Sequence, residues 1–258
     1  MRSRLERQRD ELEELYRQME DFDSLRTRFL SASAHELKTP LTALRLVGDS
    51  LAAQVNDRNA RLVERLQREL RRLQDLVVNL LELSRLQSET RPDSDAEVNV
   101  CAVLLQLREQ AEEISQGNHE IQVSCETWLS LLGNAKDLES AFRNLISNAI
   151  HYTPEGGTIR IAWGTWDDGL VFSVSDTGIG IPRRDIPRLT ERFYRVGSDR
   201  SRHRGGTGLG LSIVKHVLNA HGARLQVESE LGEGSTFSCI FPAERQLTRP
   251  EAPLRAVN

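Results

Sequence analysis

The sequence has no run approaching the ~18 apolar residues that a membrane-spanning helix requires, and its first residues, MRSRLERQRD, lack the apolar core of a signal peptide. A soluble, cytoplasmic chain is expected, and any tether to the inner membrane would belong to a segment outside this sequence. Aromatic residues are scarce, 5% against 38% apolar and 28% charged, a balance that suits exposed helix better than one aromatic-filled globule. A basic surplus is also missing. The formal charge is -4, and neutralising nucleic-acid phosphates needs a basic surface, so no nucleic-acid partner is expected. The only cysteines, Cys101, Cys125 and Cys239, lie in apolar stretches without metal-type spacing and read as buried free thiols. The phosphate-loop pattern GxxxxGK[ST] is absent, no dinucleotide-type βαβ unit is seen, and no internal repeat is visible.

What is present divides in two, as 258 residues suggest when a domain takes ~100–150. Residues 1–29 place Leu5, Leu12, Leu15, Met19, Phe22 and Phe29 at three-four spacing among dense charges, the seam of a coiled coil. From Leu30 the pattern continues through Ala34, Leu37, Leu41, Leu44, Gly48, Leu51 and Val55, shifted by one position, and such a slip locally unwinds or overwinds a coiled coil. His35 falls on the flank of this seam and faces water. Pro40 removes a backbone donor inside the helix, so a kink just after the histidine is expected. Turn-forming residues 54–59 lead to a second helix with Leu62, Leu66, Leu73, Val77, Leu80 and Leu83 on one face. Residues 30–87 thus predict a helical hairpin, and two copies pairing into a four-helix bundle bury its apolar stripe, which makes a homodimer the expectation.

Residues 88–97 are polar, contain Pro92 and read as a linker. A second domain over residues 98–242 is expected to be an α+β sandwich, with helices on one face of a mixed sheet. Its predicted helices run from Cys101 to Ser115, Ala135 to Tyr152 and Leu209 to Ala220. Strands are expected near Ile121–Cys125, Thr158–Thr165, Leu170–Ser175, Arg224–Glu230 and Ser235–Phe241, with Asp168-Gly169 as one turn. Residues 243–258 read as a disordered tail.

Three features of this domain bear on chemistry. Asn144 and Asn148 share a helix face, where two carboxamides either present oxygens to a magnesium ion and its water shell or form ordinary buried hydrogen bonds. DTGIGIP, residues 176–182, follows a strand with a carboxylate and two glycines, Gly178 and Gly180; it is either a plain turn or a place where a flat purine meets backbone and a fixed carboxylate accepts its amine. GGTGLGLSIVK, residues 205–215, puts glycines before a helix, where free amides favour phosphate. Between the last two lies residues 183–204, long and charged, which read as a mobile lid.

Taken in order, HELKTP, NLISNAIHYTP, DTGIGIP, ERFYR and GGTGLGLSIVK resemble the H, N, G1, F and G2 boxes of two-component sensor histidine kinases, over about residues 24 to 242. IPRLTERFYRV and GTGLGLSIVKHVLNAHG look most like the phosphate-regulon members, implying phosphate-starvation signalling. The resemblance implies a dimeric phosphotransfer domain followed by a GHKL-type ATPase domain, with ATP and Mg2+ as cofactors and a response regulator as partner. It makes His35 the phosphoacceptor, Glu36 the group that holds its ring proton, and Thr39 the residue that positions water for dephosphorylating the regulator. It makes Asn148 the main magnesium ligand with Asn144 beside it, and Asp176 the reader of the adenine amine. Gly178 and Gly180 would shape that pocket, and Tyr152 would pack near the base. Arg195, Gly206, Thr207, Gly208, Leu209 and Gly210 would lie toward the phosphates. His151 departs from the pattern, since many relatives carry lysine there. A clamp-like mechanical ATPase from the same superfamily and a catalytically silent dimeric scaffold are the competing readings.

Overall fold

The computed structural model describes residues 41–42, 44–49, 51, 60–88, 95–167, 169–196 and 207–247. Expectations for the coiled coil over residues 1–29, the heptad slip, His35, Glu36, Thr39, the kink at Pro40, the turn 54–59 and Gly206 lie outside these residues. Contacts divide the chain into two compact units between Thr90 and Arg91. No helix among the described residues is long and apolar enough to cross a membrane.

In the first unit, helical residues between 41 and 51 pack against helix α1, Ala60–Ser88. The pairing is antiparallel, because partners rise on one side as they fall on the other. Arg45 donates to Gln74 at 3.5 Å, and Gln67 donates to Asp49 at 2.9 Å. Leu41, Leu70 and Val77 form the buried seam, with Leu80 and Leu81 against it. Gly48 sits close over Leu70, where a Cβ would stand 3.3 Å from Leu70 Cδ1. The two antiparallel helices that the expected hairpin requires are present among the described residues, yet their apolar content exceeds this seam: Leu44, Leu46, Val47, Leu51, Leu66, Leu73 and Val78 stay exposed.

The second unit is built on a five-stranded mixed sheet. Its strands are β2 (Glu120–Cys125), β4 (Thr158–Trp166), β5 (Gly169–Asp176), β6 (Arg224–Glu230) and β7 (Gly234–Phe241), ordered β2-β4-β5-β7-β6. Only the β2–β4 pair is parallel. Alternate residues point to one buried face, namely Ile159, Ile161 and Trp163, then Leu170, Phe172 and Val174, then Phe237, Cys239 and Phe241. Helices α2 (Val100–Ser115), α3 (Ala135–Tyr152) and α4 (Gly210–Ala220) cover that face with Leu104, Leu107, Leu138, Phe142, Leu145, Ile213 and Val217. Phe142 stacks on Phe172 at 3.8 Å between centroids and meets Phe241 edge-on at 6.5 Å. Local chemistry starts the first two helices: Asn99 accepts from Ala102 N–H at 3.2 Å, and Asn134 accepts from Lys136 and Asp137 N–H at 3.1 and 3.3 Å.

Several expectations need correcting. A second, three-stranded antiparallel sheet joins β1 (Ala96–Val98), β3 (Ser130–Gly133) and β8 (Gln246–Leu247), and β3 and β8 were not foreseen. The tail expected to be disordered from Ala243 therefore begins with ordered residues: a 3-10 turn over Ala243–Arg245, then β8 against β3. Arg245 pairs with Asp95 at 2.6 Å, so the last residues of the expected linker also belong to this unit. Cys101 and Cys125 are joined as a disulfide, with Cα atoms 6.0 Å apart, because the first turn of α2 lies beside the end of β2. The free-thiol expectation holds for Cys239, whose thiol pKa is pushed up by burial. The described part of the expected lid, residues 183–196, is folded rather than bare loop. It contains a 3-10 turn over Ile186–Arg188; Arg188 grips Glu191 at 3.0 Å and lies 4.2 Å over the Tyr194 ring, and Tyr194 OH donates to Asp185 at 2.8 Å.

Candidate functional site

The row of β5 side chains facing the helices runs Leu170, Phe172, Val174 and then Asp176, so a carboxylate stands where the row calls for hydrocarbon. Burial raises the Asp176 pKa above the ordinary carboxylate value, and the backbone amides of Gly178 and Ser235 pull it partly back. Gly178 N–H donates to Oδ1 at 2.8 Å, which fixes the orientation of the carboxylate. A side chain at position 178 has no room, since its Cβ would stand 2.5 Å from both Asp176 Oδ1 and the Tyr152 carbonyl. Ile179 N–H donates to that carbonyl at 3.2 Å, so the segment after β5 is fastened to the end of α3. Asp176, Gly178 and Tyr152 are thus brought together.

Gly180 has a φ of +66°, and a Cβ there would collide with the Glu230 carbonyl and stand 2.9 Å from Leu231 Cα. Gly232 N–H closes the contact by donating to Ile179 O at 2.9 Å. The β6–β7 turn is therefore a wall of this site, although its sequence reads only as a connection. Two glycines of positive φ within the short turn, Gly232 and Gly234, are the one local sign of the close approach.

Asn144 and Asn148 lie one turn apart on α3, both half-buried. Asn144 Nδ2 donates to Ser140 O at 3.0 Å, which turns Oδ1 toward the start of α4, where a Cβ on Gly210 would stand 2.7 Å from it. The Asn148 carboxamide makes no hydrogen bond among the described residues. Carboxamide oxygens are of the kind that a hard cation takes as ligands.

Among the described residues no side chain caps the start of α4, and N–H groups at a helix start of this kind favour an anion. Thr207 Oγ1 accepts from Leu209 N–H at 3.3 Å. The Leu209 side chain is wholly buried, which leaves only its backbone to meet a ligand. Gly208, at φ +72°, faces Phe193, whose Cα would be 2.8 Å from a Cβ at 208; Phe193 N–H donates to Gly208 O at 2.8 Å. That contact joins the ERFYR and GGTGLG segments and leaves the Phe193 ring exposed. Arg195, two residues on, is half-buried. His151 is exposed and its Nδ1 bonds to Ser147 O at 2.9 Å, so its ring stays with its own helix.

Comparison with known proteins agrees with this geometry. Residues 133–245 match the family described as histidine kinase-, DNA gyrase B-, and HSP90-like ATPase, and residues 25–89 match the His Kinase A (phospho-acceptor) domain. The chain is 43% identical over 236 residues to the phosphate regulon sensor protein PhoR of Pseudomonas aeruginosa, covering 90% of this chain and 53% of that protein. It is 38% identical over 225 residues to the sensor-like histidine kinase SenX3 of Mycolicibacterium smegmatis, covering 85% of this chain and 58% of that one. A crystal structure of full-length ShkA in complex with AMPPNP aligns with a TM-score of 0.69 at 27% identity, over 89% of this chain and 48% of that chain. The chain spans about half the length of the curated relatives it matches. A phospho-acceptor domain followed by an ATPase domain, with the five motifs in order, makes this chain a member of the two-component sensor histidine kinases.

Proposed function

We propose that this chain is an ATP-dependent protein-histidine kinase, in which the second unit binds ATP and the γ-phosphoryl group passes to His35. The observation that carries this reading is the buried Asp176 carboxylate, aimed by Gly178 N–H beside the end of α3. A carboxylate so placed accepts the exocyclic amine of adenine, while the glycine backbone lets the flat base approach. Tyr152 packs near the base, and Gly178 and Gly180 shape the pocket. The start of α4, with Thr207, Gly208 and Gly210, faces the phosphates together with Arg195, and Gly206 joins this set by its motif position. Asn148, with Asn144 beside it, would hold Mg2+, which when bound offsets charge on the phosphate oxygens. The side chain of His151 is the weakest member of this set, because it bonds to its own helix.

Glu36 accepts the proton on one ring nitrogen of His35 and leaves the other as a lone-pair nucleophile. That nitrogen forms a bond to the γ-phosphorus as the bond to the bridging oxygen breaks, ADP departs, and a phosphoramidate remains. The phosphoryl group then passes to an aspartate of a response regulator, and Thr39 positions water for the reverse, dephosphorylating role. The exposed apolar stripe of the hairpin suits a homodimer. Similarity to PhoR supports phosphate-starvation signalling, with the chain acting in the cytoplasm, next to the inner membrane if a tether joins it there.

Incubation with γ-labelled ATP tests the reading. The expected product is protein label that survives base, is lost in acid and is absent from His35→Gln. Phosphate release with no protein label would identify a clamp-like ATPase instead, and failure to bind magnesium-ATP would identify a silent scaffold.

A further inference from the structure

Ser229 lies on β6, outside every motif that suggests chemistry, yet its hydroxyl is fully engaged. It donates to Gly234 O at 2.8 Å, accepts from Ile181 N–H at 2.8 Å, and lies 2.9 Å from Ser235 Oγ. Its single proton serves Gly234, so the Ser235 hydroxyl is the donor in the third contact. Ser235 is buried, and its backbone amide supports the Asp176 carboxylate, as does Gly178 N–H. A closed circuit results: Ile181 to Ser229, Ser229 to Ser235, Ser235 to Asp176, Asp176 to Gly178, and back along the chain to Ile181. Around it, Gly180 abuts Glu230 and Gly234 abuts Asp176 with no room for a side chain at either glycine. The loop that presents Asp176 is therefore held by the β6–β7 turn, and the Ser229 hydroxyl bonds to both, to Ile181 in the loop and to Gly234 in the turn.

We infer that Ser229 is a positioning residue for Asp176 and, through it, a determinant of adenine over guanine specificity. The inference rests on the proposed nucleotide site. Guanine presents a carbonyl where adenine presents an amine, and a carboxylate that cannot turn away repels that carbonyl. Loosening the circuit lets the carboxylate turn. Removing the hydroxyl leaves Ile181 N–H, Gly234 O and Ser235 Oγ each short of a partner, while Thr keeps the hydroxyl on a strand that tolerates β-branching.

The test uses the full chain and trinitrophenyl-ATP, displaced by ATP and separately by GTP. Ser229→Ala is expected to weaken ATP about tenfold with GTP nearly unchanged, so that the preference for adenine falls by the same factor. Autophosphorylation should show a raised KM for ATP with kcat retained, and Ser229→Thr should restore both affinity and preference. Unchanged ATP affinity and preference in Ser229→Ala overturns the inference. Equal losses for ATP and GTP alongside a lower unfolding midpoint also overturn it, since that pattern marks a purely structural serine. Failure of the unsubstituted chain to bind ATP would remove the proposed function itself, and is read before any variant is made.

Discussion

His221 Nε2 accepts the backbone N–H of Asn134 at 3.0 Å, while its Nδ1–H donates to Val217 O at 2.7 Å. The two partners settle the tautomer, because the amide can only donate and the carbonyl can only accept. Asn134 is the residue that caps α3, and α3 carries Asn144 and Asn148. One buried ring therefore ties the end of α4 to the start of the helix that supplies the proposed cation ligands.

This ring predicts a pH dependence. Burial lowers the His221 pKa below its ordinary 6.5; Arg245 lowers it further, while the Val217 carbonyl, Asp137 and Asp95 act in the opposite sense. Below about 6.5 the unfolded chain takes up a proton that the folded ring resists, so the unfolded state binds more protons. Stability contributed by the neutral ring is thus full above that value and is lost as the pH falls through the folded pKa, by up to ~1.4 kcal/mol per pH unit. Urea unfolding midpoints across this range should fall on acidification. His221→Gln, which can offer an oxygen to Asn134 and an N–H to Val217, should flatten that slope while keeping the fold.

At Gly210 the constraint is contact rather than charge. An added methyl would stand 2.7 Å from Asn144 Oδ1, while alanine is a better helix residue than glycine at that position. Gly210→Ala should therefore unfold no more easily than the parent chain and yet bind magnesium-ATP about tenfold more weakly, a cost of ~1.4 kcal/mol. Calorimetric titration paired with thermal unfolding separates the two effects. Unaltered affinity would remove the Asn144–Gly210 contact from the site.

How much of this was legible in the sequence depends on the range of the interactions. Helix Ala135–Tyr152 was, because Asn134 caps it and Leu138, Phe142, Leu145, Ile146 and Ala149 repeat at helical spacing, all within one stretch. Asp176, Gly178, Gly180 and Gly210 drew attention for the same local reason. Strand β3 was not legible, since four residues are too few to show alternation and its partner β8 is remote in the chain. The Cys101–Cys125 pair spans 24 residues and the Ile181–Ser229 bond spans 48, so neither leaves a local pattern.

The first unit carries its own prediction. Leu66 and Leu73 are one heptad apart on α1, and both remain exposed in the single hairpin, as do Leu44 and Leu51 on the preceding helix. Pairing two hairpins would bury this stripe, and a charge placed in it would have to be desolvated. Leu73→Glu is expected to weaken self-association by at least ~100-fold, about 2.7 kcal/mol, and to give monomers in sedimentation equilibrium while far-ultraviolet helicity is kept. A dimer of undiminished strength would place the interface elsewhere.

Asp176 sets binding against stability. Its raised pKa means that the folded chain holds the proton more tightly than the unfolded chain does. The contribution of this group to stability is therefore greatest below the ordinary value of 3.8 and is lost as the pH rises through the folded pKa, so at neutral pH the ionised carboxylate is a burden on the fold. Asn at 176 keeps an oxygen for Gly178 N–H and discards the charge, but its amide nitrogen then opposes the adenine amine, donor against donor. Asp176→Asn is expected to unfold at higher denaturant concentration than the parent at neutral pH, with the gap narrowing toward acid, and to bind ATP roughly 10- to 100-fold more weakly, the worth of one charge-assisted hydrogen bond of ~1.5–3 kcal/mol. Greater stability together with weaker ATP binding is the signature of a carboxylate retained for its ligand, whereas a loss of both would mean that the fold itself depends on the charge.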